Sequence, residues 1–108
     1  MLTEPKGYID FLKLMKESSC VISDSGGVQI ETSYLNIPCL TVRNTTELKI
    51  TIEQGTNRLV SLDPPEIAEH VKQVLKKKSG SFLNIALWDG SASNRIADEV
   101  MSCLNASA

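Results

Sequence analysis

Short apolar runs alternating with helix-patterned segments, and a glycine-rich turn joining the first run to the helix after it, point to an α/β fold. Strands separated by helical crossovers pair in parallel and wind right-handed. The expected architecture is therefore a Rossmann-like three-layer sandwich on a short parallel sheet. Three strand-like runs are visible, whereas an independent doubly wound domain has about five or six. Residues 1–108 thus read as one partial domain of a larger unit.

Each element has its own signal. Tyr8, Phe11, Leu12 and Met15 recur at helical spacing, giving a short amphipathic helix over 8–16 after Pro5 and Gly7. Cys20-Val21-Ile22 is the short apolar run of a strand buried on both faces, and a helix over 26–35 follows it, closed by Asn36. Pro38 to Val42 reads as the second strand. Polar residues 43–47 offer caps for a helix over 48–53, ended by Gly55. Arg58 to Leu62 reads as the third strand. Asp63-Pro64-Pro65-Glu66 then supplies an N-cap, an N1 proline and an N3 acid. In the helix so begun, Ile67, Val71, Val74 and Leu75 form the apolar stripe. Lys76, Lys77 and Lys78 complement the C-terminal dipole before Gly80, and His70 falls on the solvated side. After a poorly patterned stretch, Trp88-Asp89-Gly90 makes a turn in which Trp88 reads as a packing anchor, with binding the lesser alternative. A last helix over 92–104 carries Ile96, Ala97, Val100 and Leu104 on one side.

The run Ser23-Asp24-Ser25-Gly26-Gly27-Val28-Gln29-Ile30-Glu31 is the candidate site. A glycine pair at a strand-to-helix turn lets a ligand approach the backbone, and the helix it opens points free N–H groups and a partial positive charge outward. An anion fits there. Ser25 is a natural N-cap whose hydroxyl could turn to a phosphate, and Glu31, about one and a half turns on, could take ribose hydroxyls. The plainer alternative is a capped turn with no ligand. Asp24-Ser25-Gly26-Gly27 also matches the nucleophile segment of trypsin-like proteases, but their motif sits in a β-barrel with a histidine upstream. Here the flanks of the motif read strand then helix, and the one histidine, His70, lies downstream.

Composition narrows the classes. Charged residues make up 22% and hydrophobic ones 42%, with a net charge of -2. No basic field or aromatic-interleaved Lys/Arg stripe invites nucleic acid. No run is long enough to span a bilayer, and residues 1–16 lack a signal-peptide pattern, so a cytoplasmic location is expected. Cys20, Cys39 and Cys103 show no C-x-x-C spacing and read as three reduced thiols. One histidine and scattered cysteines indicate no metal, and no cofactor is indicated.

Five ordered segments carry a resemblance. Glu4-Pro5-Lys6-Gly7-Tyr8-Ile9-Asp10-Phe11 is similar to a Pro-x-x-Tyr-x-x-Phe motif, and Ser23 to Glu31 to Thr/Ser-Asp-Ser-Gly-Gly-x-Gln-x-Glu. Leu35 to Glu47 resembles Leu-Gly-x-Pro-x-Leu-x-x-Arg-x-Thr-Thr-Glu; Glu53 to Val60 and Asp89 to Ile96 resemble two later segments. Together they resemble the C-terminal part of the UDP-N-acetylglucosamine 2-epimerases, two-domain enzymes of GT-B fold. The resemblance implies a UDP-sugar substrate, inverted at C2 by elimination and re-addition of UDP, and an N-terminal domain outside these residues. It implies Phe11 by the uracil, Lys6 near the base, Ser25, Gly26 and Gly27 on the diphosphate, and Glu31 on the ribose. Read without it, Phe11 is a core residue beside Tyr8, Leu12 and Met15.

Two departures stand out. The family's Thr-Thr-Glu-Arg-Pro-Glu is here Thr45-Thr46-Glu47-Leu48-Lys49-Ile50, so the expected diphosphate arginine is missing and Arg43 or Lys49 would have to substitute. The family's Asn-Pro-Tyr-Gly before Asp-Gly is Ile85-Ala86-Leu87-Trp88. No catalytic residue is nominated, because the family's acid/base groups lie in segments outside this chain; Glu47 and Asp24 read as capping carboxylates. The half-site by itself is expected to be inactive. The alternatives are the C-terminal half of another GT-B glycosyltransferase, or a non-catalytic nucleotide-sugar binding module. In enzymes of this kind the final helix packs across the domain boundary, so the apolar side at Ile96, Val100 and Leu104 is expected to lead to self-association as a homo-oligomer or to leave the C-terminal segment mobile.

Overall fold

The computed structural model describes residues 1–77 and 84–107. Helix α1 (Tyr8–Glu17) leads to strand β1 (Val21–Ser23), helix α2 (Gly26–Leu35), strand β2 (Cys39–Val42) and a single turn of helix α3 (Ile50–Glu53). Strand β3 (Asn57–Val60), helix α4 (Pro64–Lys76) and helix α5 (Ala92–Ala106) complete the order. The strands form one parallel sheet in the order β1-β2-β3, with Val21 opposite Cys39 and Cys39 opposite Asn57. The expected α/β class and α2's limits hold. Asn36 ends α2 in the left-handed conformation at φ 58°, where a short polar side chain is tolerated.

Period-two alternation separates the two faces of the sheet. Cys39 joins Met15 of α1 and Val28 of α2 in the apolar core, with Val21, Leu35 and Ile37 packed around them. Thr41 and Asn57 point the same way, and Asn57 reaches Thr51 of α3. On the opposite face Arg58 meets His70 and Gln73 of α4. Helices α1, α2 and α3 therefore cover one face and α4 the other, which is the three-layer arrangement.

Several expectations need correction. Strand β1 ends at Ser23 rather than Ile22, and β3 starts at Asn57 and stops at Val60, two residues before Leu62. Helix α3 begins at Ile50, with Lys49 at its N-cap and no side-chain cap, so residues 43–47 do not cap it. The Thr46 hydroxyl serves the loop itself, accepting from the Leu48 N–H at 3.1 Å. On α4, Ile67, Val71 and Val74 are half-buried but Leu75 is exposed. His70 is not a free surface residue. Its side chain is 24% exposed, with Nδ1 3.0 Å from the Arg58 guanidinium and Nε2 3.7 Å from Glu66. Glu66 is held below the usual carboxylate range, chiefly by the Ser61 hydroxyl that donates to it. The Asp63 N-cap and Lys76 in the last turn stand as expected, while Lys78 and Gly80 lie outside the described residues. Cys20, Cys39 and Cys103 are free thiols, and burial pushes Cys20 and Cys39 up.

Gly55 has the tightest surroundings among the described glycines: a Cβ there would collide with the Ser33 hydroxyl and the backbone of Thr51. Around it the core is polar. Gln29, Thr32, Thr41 and Thr51 are fully buried, and each threonine hydroxyl finds a partner, as burial demands.

Candidate functional site

In a parallel sheet the connections that leave the strands' carboxyl ends gather on one side, and ligands of open α/β sheets bind there. The β1–α2 turn and the loop over residues 43–49 are such neighbours. Ser25 is the N-cap of α2, as its residue type suggests; its hydroxyl accepts from the Val28 N–H at a long 3.5 Å. A bond that long is weak, so the hydroxyl is available to a ligand. The Ser25 N–H donates to the Ser23 hydroxyl at 3.1 Å. Asp24 is exposed and caps nothing.

The glycine pair differs from expectation in one respect. Among the described residues only Gly90 is a glycine of positive φ, so the turn at Gly26 and Gly27 uses ordinary backbone. A Cβ on Gly27 would meet nothing nearer than the Ser25 hydroxyl at 3.8 Å, and one on Gly26 only Leu48 at 3.6 Å and Glu47 at 3.7 Å. Neither the turn nor the protein's own packing demands glycine here. What the missing side chains leave is free space over the N–H groups of a helix terminus, the geometry an anion uses.

The 43–49 loop is held against this terminus by a chain of buried hydrogen bonds that sequence reasoning missed. Thr46 donates to Gln29 Oε1 at 2.9 Å, tying the loop to α2. The Leu48 carbonyl accepts from Thr51 at 2.7 Å, Thr51 accepts from Asn57 Nδ2 at 3.0 Å, and Asn57 Oδ1 accepts from Thr41 at 2.6 Å. The signal lay in the threonines and amides clustered in otherwise apolar segments, but pairing them requires the fold. Glu47, read as a cap, instead pairs with Arg43 at 3.4 Å. Arg43 is thus engaged at the mouth of the seat, while Lys49 is exposed.

The remaining candidates spread along α1 and α2. Glu31 is half-buried and lies beside Tyr8, whose phenol it pushes up. Phe11 is 41% exposed, so it is not the core residue its spacing suggested. Lys6 is exposed, two residues ahead of α1. Ser25, Gly26 and Gly27 come together at one point; Glu31 follows on the same helix; Phe11 and Lys6 belong to the neighbouring α1 region. Among the described residues no group of three His, Cys, Asp or Glu side chains is arranged to hold a metal, and no helix is long and apolar enough to cross a membrane.

Comparison with known proteins shows what this chain is similar to. A UDP-N-acetylglucosamine 2-epimerase of Methanococcus maripaludis is 38% identical over 99 residues, covering 92% of this chain and 26% of the relative. That of Escherichia coli K12 is 35% identical over 102 residues, covering 91% of this chain and 27% of the relative. The crystal structure of the Methanocaldococcus jannaschii UDP-GlcNAc 2-epimerase in complex with UDP-GlcNAc and UDP superposes with a TM-score of 0.79 at 35% identity, over 93% of this chain and 27% of that one. The chain thus spans about a quarter of the length of the relatives it matches. The UDP-N-acetylglucosamine 2-epimerase family model matches residues 1–101, and the chain belongs to that family.

Proposed function

We propose that this chain is the UDP-seating C-terminal portion of a UDP-N-acetylglucosamine 2-epimerase, which interconverts UDP-GlcNAc and UDP-ManNAc by eliminating and re-adding UDP. The observation that carries the reading is the open N-terminus of α2, where two glycines leave space that neither backbone nor packing requires. In this reading the N–H groups at Gly26 and Gly27 and the Ser25 hydroxyl hold the diphosphate, and Glu31 takes the ribose hydroxyls. Phe11 and Lys6 flank the uracil. With Leu48 where the family carries arginine, Arg43 or Lys49 supplies the cation.

Two or three such contacts at about 1.5–3 kcal/mol each barely offset an association cost of about 4–15 kcal/mol, so UDP should bind near millimolar or weaker. Inversion at C2 needs positioned acid/base groups and exclusion of water, which we assign to a facing N-terminal domain. A cytoplasmic location belongs to the same reading. The test is a UDP titration followed by NMR. Gly27→Val places a branched side chain in the free space and should abolish the amide shifts while leaving the fold intact. Unchanged shifts in that variant would overturn the seat. The 108-residue chain alone should convert no UDP-GlcNAc to its C2 epimer, and detectable conversion would show that the acid/base groups lie within it.

A further inference from the structure

The chain has one tryptophan and two tyrosines, and all three line a single groove of about 510 Å³ between α1, α2 and the turn that precedes α5. Glu31 stands among its otherwise apolar walls, beside Ile30 and Leu87. Aromatic faces around one carboxylate suit a ring that carries hydroxyl groups, with the acid accepting from the hydroxyls and the indole covering the flat side.

The turn that carries Trp88 is held under strain. Leu87 adopts φ 67°, a left-handed conformation that bulky side chains rarely occupy and that concentrates at functional sites. Arg95 of α5 holds it there. Its guanidinium donates to the Leu87 carbonyl at 2.8 Å and to both Asp89 carboxylate oxygens at 2.9 and 3.1 Å. The Trp88 N–H donates to the Ile85 carbonyl at 3.1 Å, and Ile85 is buried. The Leu87 side chain is 70% exposed, so its own burial does not account for the strained turn.

Glu31 lies five residues beyond Gly26 on the same helix, about 7.5 Å along its axis. A nucleoside diphosphate with its phosphates at the start of α2 spans that distance with its ribose. We propose that Trp88 is a nucleoside-contacting residue: the ribose of that ligand lies in this groove, its hydroxyls on Glu31 and its ring face on the Trp88 indole. This rests on the reading of the α2 terminus as a diphosphate seat. Tyr8 lines the same groove as Glu31.

Because Trp88 is the only indole, its fluorescence reads the groove directly. UDP should change the Trp88 emission over the same concentrations that shift the Gly26 and Gly27 amides in NMR. Pyrophosphate, which has no ribose, should shift the amides and leave the emission unchanged. Trp88→Ala should weaken UDP binding about fivefold or more, and Trp88→Phe should stay within about twofold of the parent. UDP that shifts the amides without touching the emission, or that binds Trp88→Ala as well as the parent, would overturn the Trp88 contact and leave the seat standing. No amide response to UDP would overturn both.

Discussion

Helices α2 and α5 are built on opposite principles. Helix α2 carries polar residues on its inner side, yet Gln29, Thr32 and Ser33 are buried together with Val28. Helix α5 is the longest in the chain and cleanly amphipathic, yet none of its residues is buried; Ile96, Val100, Met101 and Leu104 are all more than half exposed. An apolar stripe states only that a helix is made to bury one face. Whether it does so depends on a partner surface, and α2 has the sheet, α3 and the 43–49 loop around it. The difference places the closely packed part of the molecule around α2. It leaves α5 as an arm fastened by the turn over residues 85–91.

The sharpest way to break that contrast is at glycines of the two kinds found around α2. Gly55→Ala drives a methyl into the Thr51 backbone and the Ser33 hydroxyl. It should cost about 3 kcal/mol or more, a large part of a typical domain's stability, and calorimetric melting should show it. Gly27→Val meets no such neighbour and should move the melting temperature little while abolishing UDP binding. If Gly55→Ala melts like the parent, the junction of α2, α3 and β3 is looser than its contacts indicate.

A smaller effect, confined to the seat, is expected from Leu48→Arg. The Leu48 side chain lies 3.6 Å from the position a Gly26 Cβ would take, so a guanidinium there reaches a bound diphosphate. A charge-assisted bond should tighten UDP about tenfold or more by calorimetry. No gain would place the loop away from the ligand.

The fastening of α5 responds to pH. Arg95 holds the Asp89 carboxyl below its ordinary 3.8, with the Ser91 N–H adding to the effect. A lowered folded-state pKa gives stabilisation that is complete above the ordinary value and lost as pH falls through the lowered one. Amide protection at Ser91 and in the first turn of α5 should therefore be constant near neutrality and fall below about pH 4. Asp89 is exposed, so the change is local, and the melting of the sheet should follow a different curve. Coincident curves would mean that α5 and the sheet unfold as one.

The least effect on stability belongs to α5's exposed side. Uncovered apolar surface seeks a partner, and self-association through Ile96, Val100 and Leu104 is the expected outcome. Ile96→Lys with Val100→Lys should shift light scattering towards the monomer and leave the melting temperature within about 0.5 kcal/mol equivalent of the parent. A parent that scatters as a monomer with α5 well protected would remove the idea.

Local chemistry explains what could be read ahead of the fold. The limits of α2, its Ser25 and Asn36 caps, the Asp63-Pro64 start of α4 and the parallel α/β class all follow from residue types acting within a few positions of themselves. The candidate seat was legible in the same way, because a glycine pair opening a helix after a strand is a local pattern, and family likeness suggested the ligand proposed for it. The Gln29–Thr46 tie, the Thr41–Asn57–Thr51 chain, the His70–Arg58 contact and the convergence of Tyr8, Tyr34 and Trp88 were decided only by tertiary structure. Their partners lie far apart in sequence, as in the 17 residues from Gln29 to Thr46. A polar side chain carries no mark of which distant group it will meet; burial, by removing water as the alternative partner, makes that choice.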